Sequence, residues 1–102
     1  MLGGAGGAYG TLFESNDTYK ICYKLLLNLI KKYPIIKGID LDIEEDVSII
    51  NVKRLINDLT IDLGKDFIIT MAPISSALSY DYPGLGGFKY KDLINSDEGK
   101  RI

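Results

Sequence analysis

Residues 38–44 read Gly-Ile-Asp-Leu-Asp-Ile-Glu. In an extended strand successive side chains point to opposite faces and rise about 3.3 Å each. Asp40, Asp42 and Glu44 therefore stand on one face at intervals of about 6 to 7 Å. Ile39, Leu41 and Ile43 fill the other. The run from 35 to 43 is apolar and β-branched enough to form this strand. A parallel strand inside an α/β fold is usually apolar on both faces, so three stacked acids need a reason. A solvent-facing edge strand would tolerate them, although edges more often carry Lys, Thr or mixed signs. Alternatively, acids gathered at the mouth of a site share protons, and a carboxyl held neutral at working pH can serve as a general acid.

Helix-like and strand-like segments alternate on either side of this stretch. Residues 1–7 form a strand stub leading into the glycine-rich turn Gly3-Gly4-Ala5-Gly6-Gly7. Asp17 is a candidate N-cap for a helix whose apolar face is Tyr19, Cys22, Tyr23, Leu26 and Ile30, stopped by Pro34. After the acidic strand, Val52, Leu55, Ile56, Leu59 and Leu63 recur at helical spacing, and Gly64 suits a helix C-terminus that needs positive φ. Residues 67–72 form a third strand ended by Pro73. A loop rich in Gly, Pro, Ser and Tyr runs on to Phe88, a short helix spans 90–94, and Lys100-Arg101-Ile102 reads as the approach to a further strand. Strand starts recur about every 31 to 35 residues, the length of one βα unit. Strands alternating with helices imply a parallel sheet covered by helices. An eight-unit barrel would devote roughly 95 residues to three units, so the 102 residues are expected to be three units of a partial (β/α)8 barrel rather than a complete domain.

Composition narrows the chemistry. The chain is 46% hydrophobic and 25% charged, and its 12 Lys+Arg against 14 Asp+Glu give a net charge of -2. Its mean hydropathy is +0.07. Such a balance provides no basic surface for nucleic acid or an anionic membrane. No apolar run approaches the ~20 residues that cross a bilayer, and the first residues lack the basic stretch of a signal peptide. A single cysteine, Cys22, excludes an internal disulfide. The absence of histidine excludes a Ser-His-Asp triad, a Cys-His dyad and the usual zinc sites. Chemistry is left to carboxylates, hydroxyls and backbone, with neither metal nor cofactor expected.

Three motifs in order carry a resemblance. Gly38 to Glu44 resembles the Asp-Gly-x-Asp-x-Asp-x-Glu signature of glycoside hydrolase family 18, the chitinases and endo-β-N-acetylglucosaminidases. Leu2-Gly3-Gly4 is similar to the family's Ser-x-Gly-Gly strand, with Gly6, Gly7 and Tyr9 continuing as in the hevamine-like members. Thr70-Met71-Ala72-Pro73 resembles the strand that follows the acidic one. The resemblance covers essentially the whole chain, as strands three to five of the family's barrel.

It implies a substrate-assisted retaining mechanism, an exception to the two-carboxylate scheme, on polysaccharides or glycans containing β-1,4-linked N-acetylglucosamine. Glu44 takes the general acid/base role, Asp42 orients the substrate's acetamido group, and Asp40 shares a proton with Asp42. Gly3, Gly4, Tyr9, Met71, Ala72 and Pro73 are the implied substrate-binding positions. Two positions depart from the pattern. Lys37 stands where the first signature Asp is usual, on the face away from the acids, and Met1 replaces the Ser of Ser-x-Gly-Gly. The family's acetamido-holding tyrosine on the sixth strand would lie beyond Ile102, as would the last three barrel strands, and the first two strands would precede Met1. By itself the chain is expected to be inactive, and a non-catalytic sugar-binding or vestigial protein is the competing reading. Compartment and the choice between chitin and N-glycan stay open.

Other features admit plainer readings. Starting at Gly4, the dinucleotide-loop spacing G-x-G-x-x-G puts Tyr9 where the last glycine belongs. Asp40-Leu41-Asp42 also reads as a metal-holding Asp-x-Asp, but no phosphate cradle accompanies it. The loop containing Tyr80, Tyr82, Gly84, Leu85, Gly86, Gly87 and Phe88 is either a locally packed turn or a sugar-stacking platform.

Overall fold

The computed structural model describes residues 1–102. Three parallel strands, β1 (Leu2–Gly3), β2 (Gly38–Asp42) and β3 (Ile68–Met71), form one sheet in the order β1-β2-β3. Helices α1 (Tyr9–Leu12) and α2 (Asn16–Lys32) connect β1 to β2, and α3 (Ile49–Leu63) connects β2 to β3. Spatial order follows chain order without reversal, which is how a (β/α)8 barrel advances and differs from a doubly wound sheet.

Register sorts the side chains. Leu2 pairs with Leu41, Gly3 with Asp42, Asp40 with Thr70, and Leu41 with Met71. Paired residues of parallel strands share a face, so Leu41, Ile43 and Ile69 go to the helix side, where all three are buried. On α3, Val52, Leu55, Ile56 and Leu59 are completely buried against them, the stripe their spacing predicts. Each such side chain contributes about 1.5 to 3 kcal/mol on leaving water. The opposite face carries Asp40, Thr70 and Ile68, of which Ile68 is 59% exposed.

Tyr9, Phe13, Tyr19 and Tyr23 stack in sequence, with ring centroids 6.1, 5.9 and 5.7 Å apart. The ladder ties the helices together through its hydroxyls: Tyr19 donates to Asp58 Oδ2 and Tyr23 to Asp62 Oδ2, each at 2.7 Å. The Arg54 guanidinium lies 3.8 Å from the Tyr19 ring centroid.

Local chemistry sets several ends differently from the expectation. Ser15, not Asp17, caps α2: its Oγ accepts from the Thr18 amide at 3.0 Å. Asp17 falls in the first turn, where its charge complements the helix dipole. Gly64 ends α3 at φ +86, as expected. Strand β2 begins at Gly38 rather than 35, because Pro34 and Ile35 form a turn after α2. The loop after β3 contains a short helix, α4 (Ser75–Ser79), before the predicted α5 (Tyr90–Ile94).

Lys100-Arg101-Ile102 does not start a strand. Gly99–Arg101 is a 3-10 helix. The Ser96 hydroxyl donates to Leu93 O and accepts from the Gly99 amide, and the missing Gly99 side chain lets the backbone close on the Leu93 carbonyl. Arg101 then reaches back to donate to Phe67 O at 3.1 Å. No helix of the chain is long and apolar enough to cross a membrane.

Candidate active site

The site is built where β2 ends. Alternation puts Asp40 and Asp42 on the face away from the helices. Across the register, Thr70 donates its hydroxyl proton to Asp40 Oδ1 at 2.6 Å. Asp42 instead sits beside Gly3, which lies at φ +96, a conformation that suits glycine. Gly3 must also lack a side chain, since a Cβ there would lie 2.2 Å from the Asp42 carbonyl oxygen. The Gly4 amide donates to that carbonyl at 2.8 Å. The two glycines thus hold the backbone of Asp42 closely and leave its flank uncrowded.

One residue beyond Ile43, which is buried, Glu44 emerges exposed. Its carboxylate stays outside the hydrogen bonds that fix Asp40 and Glu45. A shallow cleft of about 100 Å³ joins Asp42 and Glu44 to Ala72 and Pro73 from the end of β3 and to Leu85 and Tyr90 from the following segment. Both strands contribute through their C-terminal ends, the end at which barrel enzymes place their chemistry.

The segment after β3 is docked by glycines. Gly86 O accepts from the Val47 amide at 3.0 Å. A Cβ on Gly86 would crowd Phe88 and Ile43, and one on Gly87 would overlap Asp46. This close approach delivers Leu85 and Tyr90 to the cleft. Tyr90 is 4% exposed, and its hydroxyl is pushed up from the usual phenol range, first by burial and then by the negative carboxylates of Asp42 and Asp40. It remains a neutral O–H donor facing acids.

The expected site residues divide accordingly. Asp42, Glu44, Ala72 and Pro73 meet in the cleft, with Asp40 two residues back on the same face. Gly3 and Gly4 adjoin Asp42. Tyr9 lies behind them, 2% exposed, with its hydroxyl donated to Leu2 O at 2.7 Å. Its phenol too is raised, by burial first and then by Asp42 and Asp40. Met71 is not brought to the cleft: it pairs with Leu41 and packs toward the core. Tyr80 and Tyr82 stack on each other at 6.2 Å outside the cleft, and Leu85 takes the place in the wall expected of that loop.

Two residues escape the sequence pattern. Tyr90 reads as an ordinary helix start, and only the docking of the glycine segment brings it to the acids. Glu45 lies one step out of phase with the acidic face, yet its carboxylate accepts from the backbone amides of Tyr9 and Gly10.

No three His, Cys, Asp or Glu side chains converge to hold a metal ion. Of two larger cavities, one of about 230 Å³ is lined by Leu2, Tyr9, Leu12, Cys22 and Leu26 and contains no charged group, and one of about 290 Å³ is lined by Lys31, Lys37, Asp66 and apolar side chains. The smaller cleft is the one that gathers the exposed Glu44 and the half-buried Asp42 beside the buried phenol of Tyr90.

No protein-family model and no curated protein matches the chain. Among solved structures, a chitinase from Aspergillus fumigatus matches with a TM-score of 0.88 and 38% identity over 99% of this chain and 35% of its own. A fungal endo-β-N-acetylglucosaminidase from glycosyl hydrolase family 18 matches with a TM-score of 0.78 and 38% identity, over 86% of this chain and 30% of its own. The chain spans about a third of the length of each.

Proposed function

We propose, because the chain is similar in sequence and fold to part of a glycoside hydrolase family 18 domain, that it supplies the acid-bearing third of a barrel hydrolysing β-1,4-linked N-acetylglucosamine. The fold is glycosidase-like, a partial (β/α)8 barrel with three consecutive parallel strands. The observation that carries the reading is the placement of Asp42 and Glu44 in one cleft at the C-terminal strand ends.

In this reading Glu44 donates its proton to the glycosidic oxygen as the C1–O bond breaks. The substrate's acetamido oxygen bonds to C1 and forms an oxazolinium ion. Asp42 orients the acetamido N–H and offsets the developing positive charge, while Asp40, steadied by Thr70, shares a proton with Asp42. The Glu44 carboxylate then takes a proton from the water that attacks C1, and the ring reopens with retained configuration. Chitin and N-glycan cores both contain the linkage this scheme needs. The remaining sugar contacts are proposed to come from barrel segments outside these three strands, so residues 1–102 alone are expected to show no turnover.

The test is hydrolysis of a fluorogenic chitobioside by a full-length barrel containing these residues and by its Glu44→Gln variant. Loss of general acid catalysis should cost about 10² to 10⁴-fold in kcat. Equal rates would overturn the role of Glu44. A chain that binds chitotetraose while its barrel never turns over would favour the non-catalytic, sugar-binding reading.

A further inference from the structure

We infer that Glu45 is the positioning residue for Glu44, an inference that takes its purpose from the glycosidase reading and its geometry from the chain alone. Helix α1 begins after Ala8, which has no side-chain oxygen to cap it. Its first two amides would go bare. Glu45 supplies the acceptors from the segment just after β2: Oε1 takes the Tyr9 amide and Oε2 takes the Gly10 amide at 3.2 Å.

The far end of this clamp is rigid. Tyr9 is buried, its hydroxyl is bonded to Leu2 O, and its ring lies against Gly3. Residues around Glu44 are held in turn, with Ile43 buried on one side and the Val47 amide donated to Gly86 O on the other. Between those anchors, Glu44 itself is exposed. Its position is therefore set by its two neighbours, and Glu45 is the one whose hold is a side chain that can be changed. A carboxylate bridging two amides also pins residue 45 more closely than a single bond would. Freed at residue 45, the segment from Ile43 to Val47 can shift, and a displacement of about 1 Å at a reacting group costs on the order of 10²-fold in rate.

The experiment is ¹⁵N relaxation on the 102-residue chain, unmodified and with Glu45→Ala and Glu45→Gln. Both substitutions should move the Tyr9 and Gly10 amide resonances. Glu45→Ala should lower the order parameter of the Glu44 amide from the rigid range near ~0.85 to below ~0.6, leaving Asp40 and Asp42 unchanged. Glu45→Gln, which keeps one acceptor, should fall between. Loosening confined to residues 9–12 would mean that Glu45 only caps α1 and would overturn the proposal. Should Glu45→Ala fail to fold, the milder Glu45→Asp decides by the same readout: a lowered order parameter at the Glu44 amide supports the clamp, and an unchanged one overturns it. Loss of order at Glu44 together with full activity of Glu44→Gln would remove the glycosidase reading and leave the clamp standing. Unchanged order at Glu44 would do the reverse.

Discussion

The Thr70 hydroxyl donates a 2.6 Å hydrogen bond to Asp40 Oδ1 across a register pair of β2 and β3. One oxygen of Asp40 is thereby occupied, and the carboxylate is oriented along the acidic face. Thr70→Val keeps the branched shape and removes the donor. We expect a loss of about 1 kcal/mol in urea unfolding, and in an active barrel a fall in kcat. Thr70→Ser should restore both. An unchanged kcat in Thr70→Val would dissociate the bond from catalysis.

Gly3 and Gly6 both have positive φ, at 96° and 74°, but only Gly3 is hemmed in. A Cβ on Gly6 meets nothing within 4 Å, so Gly6→Ala should cost only the conformational penalty, about 1 to 2 kcal/mol. Gly3→Ala must also push aside the Asp42 carbonyl and the Tyr9 ring and should destabilise considerably more. Equal denaturant midpoints for the two would show that the glycine strand does not pack against Asp42 as described.

Tyr90→Phe retains the buried ring and deletes the hydroxyl that faces the acids. If that hydroxyl contacts sugar, the variant should raise KM by about 2- to 10-fold, equivalent to one hydrogen bond of about 0.5 to 1.5 kcal/mol, with Tm nearly unchanged. A large fall in Tm with unaltered KM would assign Tyr90 to packing alone.

Tyr9, Tyr19, Tyr23 and Tyr90 all have phenols raised above 10.0, with burial as the leading cause in each. A group whose folded pKa is raised stabilises the fold below its unfolded pKa and loses that contribution as pH climbs past it. Stability should therefore be flat through neutral pH as far as these four are concerned and fall steeply above about pH 10. Phenolate absorbance should rise together with loss of helical circular dichroism. Four phenols ionising well before any unfolding would contradict their burial.

The acidic strand was legible because strand alternation is strict: Asp40 and Asp42 share a face in any register, and Leu41 and Ile43 take the other. The stripe on α3 was legible for the same reason at helical period. What escaped depended on partners far away in the chain or on fine local competition. Glu45 looks like one more acid until Tyr9 and Gly10 arrive beside it. Tyr90 needs Gly86 and Gly87 to bring it to the cleft. Met71 shares a motif with Ala72 and Pro73, but the two-residue period of the strand turns it to the core. Ser15 and Asp17 are both good caps on composition, and only Ser15, at the extended N-cap backbone, brings its side-chain Oγ to the Thr18 amide. Lys100-Arg101-Ile102 has strand-like residues but follows Ser96 and Gly99, whose contacts with Leu93 curl it first.

The paired phenol–carboxylate bonds between α2 and α3 act as a two-toothed vernier. Tyr19 to Tyr23 is one helical turn, and so is Asp58 to Asp62, so both teeth engage together at a single alignment of the helices. A slip of one turn, about 5.4 Å, would leave one tooth engaged, and a slip of about half that would engage neither. Lengthwise creep between the helices that back the acidic strand is thus penalised most at small displacements, the range that would disturb the spacing of the acids above them.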